Sequence, residues 1–440
     1  MRSFDMIIKN GTILTMDPAN TVITNGIVGI NGELISFIGK DDGASINARK
    51  VIDAKNGLIL PGLINGHTHS AMTLFRGLAD DLPLMEWLND HIFPAESRIN
   101  SDFVYTGTLL ACAEMILSGT TTFCDMYLFE ADAARACREA GMRALMGEVL
   151  YDFNSPNYGP IEKGFVYTEA LIEKWIDDPL LSMAVEPHSL FTCSPDLLIA
   201  ANELSLKHRV PLIIHLAETE EETTYVEKIY GKRPVRHLDS LGILGPHVIA
   251  CHCVHLNSEE INILSEKGVK VIHNPESNMK LASGIAPVHE MISKGIAVGI
   301  GTDGCASNND LDLFSEMDTA AKLHKIKEMD TTVMDAGTVL KMATIEGTRA
   351  LGIDKITGSI EAGKRADIIV VDTNKPHLTP MYNPYSHLVY SAKGSDVFYS
   401  IINGRLVMSE RRLLTIDLDD IMEKATAISR DIASYLKSKK

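Results

Sequence analysis

None of the seven cysteines pairs with another as Cys-x-x-Cys, and seven is an odd number. Cys112, Cys124, Cys137, Cys193, Cys251, Cys253 and Cys305 stand mostly in apolar stretches such as Val-Ile-Ala-Cys-His-Cys-Val, so they read as reduced core thiols. A disulfide framework or a thiolate metal site is the weaker alternative. No apolar run approaches the ~20 residues that cross a bilayer. The N-terminal stretch Met-Arg-Ser-Phe-Asp-Met-Ile-Ile-Lys-Asn-Gly is broken by polar residues where a signal peptide needs an uninterrupted apolar segment. A cytoplasmic protein with no membrane role is expected. Cations are also short: 41 Lys and Arg stand against 58 Asp and Glu, a net charge of −17. That balance disfavours nucleic acid, whose phosphates are held mainly by Lys and Arg, and favours a small, weakly charged ligand. There is no Gly-x-Ser-x-Gly elbow. Gly-Ile-Gly-Thr-Asp-Gly (299–304) lacks the register of a phosphate-binding glycine loop.

What is present is a long alternation of apolar segments and helix-length stretches. Eight segments, 58–67, 119–126, 142–150, 181–188, 210–215, 247–252, 269–274 and 296–303, are each apolar and close on polar residues. Eight strand-then-helix units argue for an α/β protein with a (β/α)8 TIM-type barrel rather than a doubly wound sheet. Residues 5–40 and the segments starting at Ala366 and Val397 have a different texture, short alternating strands punctuated by Asn-Gly turns. They predict a small β-sandwich built from both chain termini. The expected division is residues 1–57 and 363–415 for the sandwich, 58–362 for the barrel, and 416–440 for a C-terminal amphipathic helix.

In such a barrel the active site lies where the strands end, so the closing residues carry the chemistry. The first segment closes on His67-Thr-His69, and residues two apart on a strand share a face. Later segments close on His188, His215, His252, His273 and Asp303. Any one of these, His273 for example, has an ordinary structural reading, but so many strand-end histidines form a set. Imidazoles with a carboxylate suit Zn²⁺ or a similar divalent ion in an open, catalytic site. Glu218 follows His215 by three residues as the chain leaves its strand, where a carboxylate can exchange protons with a bound substrate. Taken alone it is one loop glutamate in the acidic run Glu218-Thr-Glu-Glu-Glu222.

These residues resemble the amidohydrolase superfamily over almost the whole chain, through Ile-Lys-Asn-Gly near the start, Leu-Pro-Gly-Leu-Ile-Asn-Gly-His-Thr-His69, Thr302-Asp303 and Gly358-Ser-Ile-Glu-Ala-Gly-Lys-Arg-Ala-Asp367. Within it the chain is most similar to the 5-methylthioadenosine/S-adenosylhomocysteine deaminases. The supporting motifs are Trp87-Leu…Pro94-Ala-Glu96, Glu186-Pro-His188, His215-Leu-Ala-Glu218, His252-Cys-Val-His-Leu256, the stretch Asn274–Val288, and Gly301–Asp310. The resemblance implies one divalent metal per subunit, Zn²⁺, held by His67, His69, His215 and Asp303. It further implies that Glu218 is the proton shuttle, that His252 polarises the attacking water or steadies the developing oxyanion, and that Trp87, Glu96 and His188 contact a nucleoside. Asp303 would also take the water's proton. A homo-oligomer is implied as well. One departure concerns Leu150–Lys163, where relatives that accept S-adenosylhomocysteine carry arginines for its carboxylate: this stretch has none, and only Lys163 is cationic. Substrates without that tail, 5′-methylthioadenosine, 5′-deoxyadenosine or adenosine, gain accordingly. Related hydrolases of guanine, cytosine or chlorinated triazines are the alternative; a non-catalytic binding module is a further one, against which the intact ligand set speaks.

Overall fold

The computed structural model describes residues 2–43, 46–82 and 86–439, without the side chains of residues 2, 87–89 and 438–439. Two arcs of parallel strands hold its centre. The first runs β6 (Leu63–Thr68), β7 (Thr120–Tyr127), β8 (Arg143–Leu150), with β9 (Leu181–Met183) and β10 (Glu186–Pro187) both on β8. The second runs β11 (Leu212–Leu216), β12 (Val248–His252), β13 (Lys270–His273), β14 (Val298–Ile300). Every residue of β7, β8, β11 and β12 is buried. This is why these segments read as near-continuous apolar runs rather than alternating ones: helices cover the outer face and side chains fill the inner one.

The arcs meet at two seams. At one, Val185 bridges Leu212, and the His215 amide donates to the His188 carbonyl at 3.1 Å. At the other, the Asn65 side chain donates to Thr302 Oγ1 at 2.8 Å and accepts from the Thr302 amide at 3.0 Å, while the Asp303 amide donates to the His67 carbonyl at 2.9 Å. Glycine is required at 301 here, because a Cβ would stand 2.7 Å from the His67 backbone nitrogen.

Strands from both ends of the chain share one further sheet. Its order is β18 (Arg412–Leu413), β17 (Arg405–Ser409), β16 (Val397–Ile402), β15 (Ile368–Val371), β5 (Leu58–Pro61), β1 (Arg2–Leu14), β2 (Val22–Asn31), β3 (Leu34–Lys40), with β4 (Ile46–Asp53) parallel to β1. The sequence places Leu58–Pro61 at the head of the first barrel segment; the structure corrects this. Leu58 and Ile59 pair with Thr12 and Ile13 on one side, and all four residues pair with β15 on the other. The apolar run is continuous, so only Pro61-Gly62 marks the point where the chain changes sheets. This terminal sheet has a hydrophobic core of its own around Ile8, Val28, Ile30, Ile368 and Ile401. It is tied to the parallel arcs by the buried pair Arg143–Asp367, in which Nε and Nη2 donate to the two carboxylate oxygens at 2.7 and 3.2 Å. The last helix spans Leu418–Lys439, and among the described residues no helix is long and apolar enough to cross a membrane.

Candidate active site

At the C-terminal ends of the parallel strands, His67 from β6, His69 just past it, His215 from β11 and Asp303 just past β14 converge. His67 Nε2 lies 3.1 Å from His215 Nε2 and 3.5 Å from Asp303 Oδ1, and His69 Nε2 lies 3.1 Å from the same oxygen. His252, at the end of β12, joins them: its ligand nitrogen falls within 4.8 Å of those of His67 and His215. His252 and Asp303 both take left-handed backbone, at φ 71° and 64°, a conformation residues with a Cβ adopt seldom and which gathers at functional sites.

Neighbours fix which atoms face inward. His215 Nδ1 donates to the His188 carbonyl at 2.8 Å and His69 Nδ1 to the Met126 carbonyl, so both rings can turn a bare Nε2 to the centre. Asp303 Oδ2 accepts from Ser277 Oγ at 2.7 Å and Ser307 Oγ at 2.9 Å, which leaves Oδ1 for the cluster. His252 Nδ1 lies 2.9 Å from Asn278 Oδ1 and 3.3 Å from the Asn274 side-chain nitrogen. The result is a cluster of imidazole nitrogens around one carboxylate, and this donor set fits a borderline divalent ion such as Zn²⁺. Burial by itself would lower His69, but Asp303 overrides it and pushes the ring up to about 9. His67 and His188, where burial dominates, fall to about 4.

The cluster forms the floor of a cavity of about 410 Å³ whose lining includes Glu96, Tyr127, His188, Glu218, Glu222 and His252. Glu218 Oε2 is 3.9 Å from His252 Nε2, and burial holds its carboxyl above the usual glutamate range. Its backbone is clamped: the Glu218 amide donates to Glu222 Oε2 at 2.8 Å, and Thr219 caps the helix Glu220–Tyr230. Glu96 accepts from the Tyr127 hydroxyl at 2.9 Å, and burial raises its carboxyl to about 7. His188 Nδ1 sits 3.1 and 3.0 Å from the hydroxyls of Ser189 and Thr192. His273 is not part of the pocket; its Nε2 faces His324 Nε2 at 3.1 Å. Trp87 opens a helical turn, Trp87–Ile92, and its side chain lies outside the described residues.

Sequence reasoning missed several residues that the structure places here. Tyr127 closes β7 and would have been found by asking of the second segment what was asked of the others. Ser277, Asn278 and Ser307 lie in stretches singled out by motif, but no pattern shows that they hold ligands and neighbours in place. Tyr151, Phe153, Phe191 and Tyr225 sit in the lining with no periodicity to announce them.

Residues 58–407 match the Amidohydrolase family. The chain is 59% identical to a 5-methylthioadenosine/S-adenosylhomocysteine deaminase of Syntrophobacter fumaroxidans, over 97% of this chain and 98% of that one. It is 46% identical to a 5′-deoxyadenosine deaminase of Methanosarcina acetivorans, over 98% of this chain and 99% of the relative. Its structure superposes with a TM-score of 0.97 on the crystal structure of an adenosine deaminase from Xanthomonas campestris with bound zinc, at 37% identity and covering 98% and 99% of the two chains. The chain belongs to the amidohydrolase family and groups there with the 5-methylthioadenosine/S-adenosylhomocysteine deaminases.

Proposed function

We propose that this protein is a metal-dependent hydrolytic deaminase that converts the adenine of a 5′-modified adenosine to hypoxanthine and releases ammonia. The observation that carries the proposal is one cavity lined by a nitrogen-and-carboxylate cluster, by Glu218 beside it and by a second carboxyl, Glu96. His67, His69, His215 and Asp303 would hold the ion. When bound, a divalent cation supplies Lewis acidity and a nucleophile derived from water at neutral pH.

The chain's own residues supply the rest. Addition at C6 needs electron density to move into the ring, and Glu218, whose carboxyl burial raises above the usual glutamate range, passes a proton to the ring nitrogen that receives it. Asp303 Oδ1 accepts the proton that the attacking water gives up. His252, its ring held through Nδ1 by Asn274 and Asn278, donates from Nε2 to the oxygen that develops charge. Glu96 accepts from the ribose hydroxyls, with Tyr127 fixing its orientation, and His188 packs beside the nucleoside. The same proposal takes the two arcs as a closed (β/α)8 barrel and the terminal sheet as a small β-sandwich, with residues 58–61 assigned to the sandwich. It places the enzyme in the cytoplasm as a homo-oligomer, a state that sedimentation measures directly.

A spectroscopic deamination assay on metal-loaded enzyme tests the function. Adenosine and its 5′-deoxy and 5′-methylthio analogues should lose ammonia, and guanine, cytosine and a chlorotriazine should not. Turnover of a free base in preference to every riboside would overturn the proposal.

A further inference from the structure

The acidic run Glu218-Thr-Glu-Glu-Glu222 divides in the fold. Glu220 and Glu221 are exposed, whereas Glu218 and Glu222 both line the cavity, and Glu222 is only 2% exposed. Thr219 and Glu222 have the spacing of a capping box, in which the third helical residue returns its carboxylate to the amide of the cap itself. A later helix, Ser258–Lys267, shows that ordinary form. There Asn257 Oδ1 accepts from the Glu260 amide at 2.9 Å, Glu260 Oε2 accepts from the Asn257 amide at 3.2 Å, and Arg233 Nε pairs with the same oxygen at 2.8 Å. Glu222 departs from it. Thr219 Oγ1 still accepts from the Glu222 amide at 3.2 Å, but Glu222 Oε2 reaches one residue past the cap, to the Glu218 amide at 2.8 Å. Among the described residues Glu222 Oε1 has no hydrogen-bond partner, and burial raises this carboxyl to about 7. A buried acid with an unsatisfied oxygen is a costly way to cap a helix, and departures from local rules gather at functional sites.

We propose that Glu222 is a positioning residue for the proton shuttle: its side chain fixes the backbone from which Glu218 reaches the ring nitrogen of the substrate. This rests on the deaminase reading above. Glu218 leaves its strand through Ala217, whose backbone is left-handed at φ 51° and whose carbonyl accepts from the Val254 and His255 amides at 3.0 and 2.9 Å. Those bonds hold the turn from the side of β12. Glu222 holds the amide that follows, so the peptide between Ala217 and Glu218 is tied at both its carbonyl and its nitrogen. With the second tie removed that peptide can rotate, and a displacement of the shuttle's carboxyl by about 1 Å costs on the order of 10²-fold in rate. The task needs reach and an acceptor oxygen; it does not need charge. Gln supplies both, Asp is one methylene too short, and Ala supplies neither.

Turnover of 5′-deoxyadenosine by the metal-loaded enzyme separates these requirements. Glu222→Ala should lower kcat about 10–100-fold, with KM within about 3-fold of the wild type and metal content unchanged. Glu222→Gln should stay within about 3-fold of the wild-type kcat, and Glu222→Asp should fall with the alanine variant. On a Glu218→Gln background, where no shuttle is left to aim, Glu222→Ala should cost less than about 2-fold more. A near-native kcat in Glu222→Ala overturns the proposal, as does a loss that recurs in full on the Glu218→Gln background. So does an Asp variant at least as active as the Gln variant, which would make charge the requirement in place of reach. Should Glu222→Ala fail to fold, the order of Gln and Asp decides alone, with the unfolding midpoint of each reporting that it is folded. A wild-type enzyme inert toward every riboside removes the deaminase reading itself, whereas an active wild type, an impaired Glu218→Gln variant and an indifferent Glu222 remove only this inference.

Discussion

Two sets of carboxyl groups are buried in this molecule, and they meet burial in opposite ways. Glu96, Glu218 and Asp303 face the cavity and each has a partner that can trade protons: the Tyr127 hydroxyl, the His252 ring, and the His67 and His69 rings. Glu130, Glu148 and Glu186 are sealed in the wall. Among the described residues, both oxygens of Glu130 and of Glu186 lack a hydrogen-bond partner, and Glu148 accepts from the Glu130 amide and the Asn157 side chain, each at 2.9 Å. Burial drives Glu130 and Glu186 well above the usual range and Glu148 to about 7. Desolvation alone therefore marks nothing as functional; a mobile partner and an open face do.

Four substitutions sharpen or break that contrast. Asp303→Ala should have the largest effect, because it removes the proposed ligand and proton acceptor together: metal content by elemental analysis and turnover should both collapse. Retention of both would detach Asp303 from the chemistry. Glu218→Gln should keep the metal and bind nucleoside while kcat drops about 10²–10⁴-fold, the usual worth of a positioned acid or base. A near-native rate would return Glu218 to the status of a loop carboxylate.

Glu96→Ala should cost a riboside roughly 2–4 kcal/mol in kcat/KM, from about 1.5–3 kcal/mol per hydrogen bond to a charged group with incomplete additivity. A 2′,3′-dideoxy analogue should lose about as much on the wild-type enzyme and little more on the variant. If the two losses add, Glu96 does not touch the sugar.

Glu148→Gln should act on stability and not on turnover. The folded state raises this group from 4.5 to about 7, so it holds its proton where the unfolded chain has released it. The stability contributed is complete below about pH 4.5 and is lost as pH rises through about 7, an effect of order 1–3 kcal/mol. Unfolding midpoints measured between pH 5 and 8 should therefore fall with pH more steeply in the wild type than in the variant, at unchanged kcat. Parallel profiles would show that Glu148 is not titrating in the fold.

The sequence displayed the floor of the pocket far better than its walls. His67, His69, His215, His252 and Asp303 are visible because a strand's last residue is where a parallel barrel does chemistry, and a histidine at a strand end stands out against an apolar run. Tyr151, Phe153, Phe191 and Tyr225 lie on irregular connections, where no period of 2 or 3.6 links residue type to direction. The eight parallel segments were legible for a similar reason, as runs of buried residues. The passage of Leu58–Pro61 into the terminal sheet was not, since a strand buried on both faces looks the same in either sheet. The Arg143–Asp367 pair escaped too, because 224 residues separate its members and only the fold brings them together.

The sheet that joins the two ends of the chain also sets an order of assembly. Strand β5 hydrogen-bonds to β1 as soon as both exist, but its other edge is matched only by β15. About 300 residues later, at ~5–20 residues per second of synthesis, the ribosome reaches that partner after some 15–60 s. Throughout that interval the nascent protein carries an open, apolar strand edge of the kind that templates aggregation. Its yield in a cell should therefore respond to translation speed and to chaperones that shield unpaired strands, even where the finished enzyme is stable.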